Sequence, residues 1–211
     1  MPRRAYVSSV RTAAAAEKRD RVIEAAARSL REDAGISSFS LDNVAKAAGV
    51  TRLTVYNQFG SRRGLLEAVF DDIARRGGLE AIAGAMAMAY PQAALDRLVE
   101  IFCGFWQHDP AIGRLHEAMA IDPEFAAALI ERNERRRKGL TVLVERIAGK
   151  SASRRARRDA VDTIFALTSY AMFAMLSPGR SANDTCRLVQ SACRAALLGI
   201  GEITPDPVRK L

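Results

Sequence analysis

The sequence predicts an all-α protein, with an N-terminal three-helix helix-turn-helix domain and a larger C-terminal helical domain. Three observations lead there. Apolar residues recur at spacings of three and four along most of the chain, the period of a helix with one buried face. Alanine, the strongest helix former, is abundant, and no stretch alternates as a strand would. Glycines and capping residues divide the first part of the chain into short pieces.

The elements follow in order. Residues 1–16 lack an apolar stripe and read as a mobile basic arm. A first helix is expected over residues 17–33, with Val22, Ile23, Ala26 and Leu30 inward and Gly35 closing it. Ser40 caps a second helix whose inner face is Leu41, Val44, Ala45 and Ala48. Gly49 breaks it. Thr51 caps a short third helix ending near Phe59 and Gly60, and Ser61 caps a fourth with Leu65, Leu66, Val69, Phe70 and Ile73 inward. Gly64 weakens the start of that fourth helix, by up to about 1 kcal/mol relative to alanine. Gly77 and Gly78 mark the expected domain boundary, giving a helix-turn-helix domain over 17–78 and a second domain over 79–211.

In the second domain, Asp109-Pro110 and Asp122-Pro123 each read as a cap followed by proline at the first helical position. Ser177-Pro178-Gly179 separates two long helices, expected over 154–176 and 182–199. Both carry apolar residues over a wide arc, the second with Leu188, Val189, Ala192, Ala196 and Leu197, so each needs two neighbours. The tail from Thr204 is expected to fray.

Bulk properties narrow the function. The chain has 211 residues, 49% of them hydrophobic, enough for one large or two small domains. Its net charge of +8 favours a polyanionic partner. Residues 1–78 hold fourteen basic and nine acidic side chains. No acid lies between Asp42 and Glu67, whereas Lys46, Arg52, Arg62 and Arg63 all do, a pattern suited to a phosphate backbone. Cys103, Cys186 and Cys193 match no zinc spacing and read as reduced, apolar residues of a cytoplasmic protein. With His108 and His116 the only histidines, neither metal nor cofactor is expected. There is no run of 18 or so apolar residues for a membrane span.

The stretch from Ser40 to Gly60 carries the functional signal. Ala48-Gly49-Val50 supplies the tight turn a helix-turn-helix requires. Wound at about 100° per residue, the third helix puts Val55 and Phe59 inward and Leu53, Thr54 and Asn57 outward, with Arg52 and Tyr56 on one flank and Gln58 on the other. An amide, a hydroxyl and an aliphatic group can meet base edges and a thymine methyl. Tyr56, Lys46, Arg62 and Arg63 are placed for phosphates.

Residues 17–73 resemble the DNA-binding domain of the tetracycline-repressor (TetR) family of regulators. The likeness rests on Ala48-Gly49-Val50-Thr51, on Thr54-Val55-Tyr56-Asn57-Gln58-Phe59, and on Ser61-Arg62-Arg63-Gly64-Leu65-Leu66. It implies a homodimer on operator double-stranded DNA and a C-terminal effector and dimerisation domain, with repression as the default. By analogy, Thr54 and Asn57 approach bases, while Ser40, Tyr56 and Arg62 bind phosphate. Leu53 stands where a small residue is frequent and Asn57 where an aromatic is, so no operator sequence transfers. The resemblance also implies a pocket for a small, largely apolar effector, for which Phe102, Trp106, His116, Met119, Phe125, Tyr170 and Phe173 are the candidates. Each can equally be core, and His116 can donate to a carbonyl.

Three other readings compete. A regulator that binds DNA without a ligand shares every N-terminal feature. An all-α enzyme lacks support, because no nucleophile motif and no glycine-rich phosphate loop is present. Membrane-surface binding fits poorly, since the basic residues flank a capped helix-turn-helix. The basic runs over 135–138 and 154–158 read as solvated faces, with Glu131 and Glu134 spaced to pair with Arg135 and Lys138.

Overall fold

The computed structural model describes residues 3–32, 36, 39–149 and 152–198, with backbone alone for 3–11. The expected roles of Gly35 and of the tail from Thr204 lie outside the described residues. Eleven helices and no strand occur among those described. The chain divides into two compact units, one of residues 1–73 and 110–128, the other of 74–109 and 129–211. The first division falls inside a helix, between Ile73 and Ala74, a few residues before the Gly77-Gly78 pair. Residues 110–128 join the first unit through burial of Ile112, Leu115 and Phe125. Nothing local in the sequence signals that return.

The first unit holds α1 (Arg3–Arg31), α2 (Leu41–Ala48), α3 (Arg52–Phe59), most of α4 (Arg62–Arg76), α7 (Ala111–Ala118) and the start of α8 (Pro123–Ile147). α1 begins well before residue 17, so residues 3–16 are helical backbone and not the arm expected. The alanines at 13–16 favour helix without needing a buried face, and Thr12 to Arg21 are all exposed. From Val22 the stripe turns inward: Val22, Ile23, Ala25, Ala26, Ala27 and Leu30 are buried, and α1 packs on α2 and α7. Asp122 Oδ1 accepts from Phe125 N at 3.0 Å, the cap expected before Pro123.

The second unit contains α5 (Ala81–Met86), α6 (Pro91–His108), the rest of α8, α9 (Arg154–Leu167), α10 (Tyr170–Leu176) and α11 (Ala182–Leu198). Leu95, Leu98, Val99 and Phe102 of α6, Leu140, Leu143 and Val144 of α8, Ile164 of α9 and Val189 and Leu197 of α11 share one core. The single helix expected over 154–176 is two helices bent by 60°. Thr168 Oγ1 turns back onto the Ile164 carbonyl at 2.8 Å, and Ser169 Oγ caps α10 by accepting from Met172 N at 3.2 Å. Both are local side-chain bonds that compete with continuing a helix. No single helix among the described residues is long and apolar enough to cross a membrane.

Candidate nucleic-acid interface

The turn between α2 and α3 is built by three local devices. Ser40 Oγ accepts from Asn43 N at 3.2 Å and starts α2. Gly49 ends it with φ +66°, a left-handed conformation that costs glycine nothing, while Val50 N reaches back to the Ala45 carbonyl at 3.0 Å. Thr51 Oγ1 then accepts from Thr54 N at 3.1 Å and opens α3. Val44, Ala45 and Val55 are buried behind the turn, which fixes the side α3 presents.

That side is open. Leu53 is 65% and Tyr56 56% exposed, and Asn57 is exposed beside them. Their exposure has no packing purpose within the unit. Thr54 is half-buried, its hydroxyl 2.9 Å from that of Thr51. Lys46 is exposed on α2, and Arg52 pairs loosely with Asp42 at 3.4 Å with both side chains mostly in water. Such a pair is weak and exchangeable for a phosphate.

Two residues are placed differently from the sequence reading, and a third is engaged by acids. Gln58 is half-buried, with its Oε1 buried and its backbone carbonyl accepting from Arg19 Nη1 at 3.1 Å, so its side chain is less open than those of Leu53, Tyr56 and Asn57. Arg62 is turned inward. Its Nε donates to the Phe39 carbonyl at 3.2 Å, its Nη2 to that of Ile36 at 3.3 Å, and its Nη1 to Asp122 Oδ2 at 3.1 Å. A guanidinium engaged at all three nitrogens is a brace, not a phosphate ligand. Arg63 is exposed but bonded to Glu67 at 2.6 Å, with Glu124 at 3.6 Å. The hydrogen bond and charge of Glu67, aided by Glu124, hold its pKa above the ordinary arginine value. Arg19, which sequence patterning does not single out, also stacks over the Phe59 ring at 4.4 Å and anchors the end of α3.

The effector candidates fall in different units. His116, Met119 and Phe125 belong to the first. Phe125 is fully buried, and His116 Nδ1 donates to the Ile112 carbonyl of its own helix at 2.9 Å. Phe102, Trp106, Tyr170 and Phe173 belong to the second. There Trp106 lies 6.4 Å from Phe102, 4.7 Å from Phe105 and 5.8 Å from Tyr170, ring centre to ring centre, and its Nε1 donates to the Thr168 carbonyl at 3.0 Å. Of the basic runs, Arg135 meets Glu131, Arg137 meets Glu134 and Asp162, and Arg157 meets Glu145. It is Arg137, not Lys138, that takes Glu134. Among the described residues Arg136 has no such partner.

Comparison with known proteins agrees with this geometry. Residues 23–69 match the family model described as bacterial regulatory proteins, tetR family. Residues 89–198, about half the chain, match the model of a tetracyclin repressor-like C-terminal domain. The HTH-type transcriptional regulator EthR of Mycolicibacterium smegmatis is 34% identical over 112 residues. That match spans about half of each protein, 52% of this chain and 51% of EthR. Among solved structures, a TetR-family regulator from Rhodococcus sp. superposes with a TM-score of 0.69 at 20% identity, over 86% of this chain and 99% of its own. PfmR from Thermus thermophilus gives 0.59 at 21% identity, over 86% and 99%. At such identities the structures testify to the fold alone.

Proposed function

The chain belongs to the tetR family of bacterial regulatory proteins, which places it among helix-turn-helix transcriptional regulators, and we propose that it acts inside the cell as a homodimer repressing from a pseudo-palindromic operator. The exposed face of α3 carries the reading: Leu53, Tyr56 and Asn57 stand in water on a helix held rigidly from behind. α3 enters the major groove, and the second copy reads the groove about one helical turn, roughly 34 Å, away. Asn57 pairs with a base edge, Leu53 touches a thymine methyl, and Thr54 reaches the groove edge. Tyr56, Lys46, Arg52 and the Ser40 hydroxyl hold phosphates, and Arg63 adds a cation that stays charged at any pH the cell meets.

Fluorescence anisotropy with operator duplexes separates these roles. Tyr56→Phe should weaken binding to every sequence alike. Asn57→Ala should cost about 1–3 kcal/mol at one base position and relax the preference there. An Asn57→Ala protein with unchanged preference at every position would remove α3 as the reading helix.

The dimer is formed by α10 and α11. Their outward sides carry Met175, 66% exposed, Leu188, 39%, and Leu198, 73%, among exposed alanines 171, 174 and 195. Leu197, which sequence patterning lumps with this seam, is only 2% exposed and belongs to the core. A charge at the two neighbours should therefore act differently. Leu198→Glu should leave a folded monomer with greatly reduced operator affinity, whereas Leu197→Glu should unfold the second unit. Light scattering that finds Leu198→Glu dimeric would move the interface elsewhere.

A small, largely apolar effector binds the second unit and lowers DNA affinity. The aromatic group around Trp106 supports this. The ligand prefers a state whose two α3 helices are spaced wrongly for the operator. A tenfold loss of affinity corresponds to about 1.4 kcal/mol of coupling, and the DNA must then weaken the ligand equally.

A further inference from the structure

Arg136, on α8, is a largely buried cation with no anion beside it among the described residues. Its Nη1 donates to Thr168 Oγ1 at 2.7 Å. Its Cζ lies 4.1 Å from the centre of the Phe165 ring and 5.5 Å from that of Phe102. Its Nε is buried and makes no hydrogen bond. Among the described residues no carboxylate pairs with it, and its neighbour Arg137 has taken both Glu134 and Asp162. Burial, reinforced by the Arg137 charge, pushes its pKa down to about 10, which still leaves it charged at neutral pH. A guanidinium taken out of water without a counter-charge is costly, and two aromatic faces offset only part of the cost. The arrangement makes sense if an anion arrives from outside.

The free edge of the group says which kind. With Nη1 committed to Thr168, the Nε–Nη2 edge remains, two parallel donors at the spacing of carboxylate oxygens. Thr168 connects this edge to the aromatic group, since its carbonyl accepts from Trp106 Nε1 and its hydroxyl from Arg136. Thr168 also sits at the bend between α9 and α10.

We propose that the second unit takes an amphiphilic carboxylic acid, its carboxylate paired side-on with Arg136 and its apolar body against Trp106, Phe102 and Tyr170. This rests on the effector reading above and narrows it: a neutral apolar compound would leave the Arg136 edge unpaired. A carboxylate on the Nε–Nη2 edge leaves the Nη1 bond to Thr168 Oγ1 in place, so the bound acid is tied through Arg136 to the bend between α9 and α10.

The test uses the full chain and matched probes: straight-chain carboxylates from butanoate to dodecanoate and 4-phenylbutanoate, each beside its primary amide, with inorganic phosphate at equal ionic strength. Thermal melting and the fluorescence of Trp106, the one tryptophan, are the readouts. At least one acid should raise Tm and change the fluorescence saturably, binding about tenfold or more tighter than its amide. Arg136→Met should abolish that preference while the unliganded variant melts no lower than the parent, because a buried unpaired charge has gone. Arg136→Lys, which keeps the charge without the fork, should retain only part of it. The proposal is overturned if the amides bind as well as the acids, if phosphate reproduces the acid effect, if Arg136→Met keeps the preference, or if no acid in the series registers. Operator release, measured in parallel, separates the two claims. Neutral compounds that release DNA would keep the effector reading and discard the acid, whereas failure of every compound, acid or neutral, to release DNA would discard both.

Discussion

Arg62→Ala should lower the stability of the first unit by about 2–4 kcal/mol while leaving the salt dependence of DNA binding unchanged. The side chain ties three separate stretches together: the segment before α2 through the Ile36 and Phe39 carbonyls, α4 through its own backbone, and the start of α8 through Asp122. It also lies over the Phe39 ring, 5.6 Å from its centre. Arg62 is 28% and Asp122 14% exposed, so the pair is screened less than a surface ion pair but more than one in a dry core. Truncation strands Asp122 and leaves two backbone carbonyls short of a donor. Arg62→Lys keeps one contact at best and should recover only a fraction, since a point charge cannot serve three acceptors in different directions. Urea melts followed by the amide-exchange protection of α2 and α4 would measure the loss. DNA binding distinguishes the brace from a phosphate contact. Losing a phosphate-bound arginine reduces the slope of log K against log salt by about one unit. A folded Arg62→Ala protein showing that reduction would return Arg62 to the DNA surface.

The same residue marks where the sequence stops being legible. The caps at Ser40, Thr51, Ser61 and Asp122 and the inward stripes of α1, α2 and α4 are local signals, and they are found as expected except that Leu41, Ala48 and Phe70 are only half-buried. The outward side of α3 follows from the same periodicity once Val55 is known to be inside. Arg62 fails because its charge and its place beside the motif suggest phosphate, while its partner Asp122 lies 60 positions away. The assignment of 110–128 to the first unit fails for the same reason: an amphipathic helix declares that it has a buried face, not which neighbour covers it. The bend at Thr168 was readable in principle, since Thr168-Ser169 offers a back-bond and a cap in succession, but the apolar run on either side conceals it. Arg136 shows the limit for charges. Within Arg135-Arg136-Arg137-Lys138 the residues are alike in type, and only their angular position on α8 decides that Arg136 and Arg137 both reach the Phe165 ring while Arg136 also reaches Phe102.

Gly64→Ala should destabilise the first unit, although helix propensity alone predicts the opposite. Gly64 occupies the first turn of α4, where alanine is worth up to about 1 kcal/mol more than glycine. A Cβ at this position would stand 2.0 Å from the carbonyl oxygen of Phe59 and 3.2 Å from its carbon. Those are backbone atoms at the end of α3, and no rotamer change can move them aside. α4 would have to withdraw from α3, disturbing the Ser61 cap that Gly64 N completes at 3.0 Å and the adjoining Arg62 brace. Overpacking of this kind costs about 1–3 kcal/mol or more, which outweighs the propensity gain. Because the displaced atoms end the reading helix, operator affinity should fall along with Tm, and for all operator sequences in parallel. Gly84→Ala is the internal control. Gly84 lies on an exposed part of α5 with nothing within 4 Å of its would-be Cβ, so that substitution should raise stability by roughly 0.5–1 kcal/mol. If both variants melted above the parent, the close approach of α4 to the end of α3 would be absent in solution, and Gly64 would be merely a weak helix former.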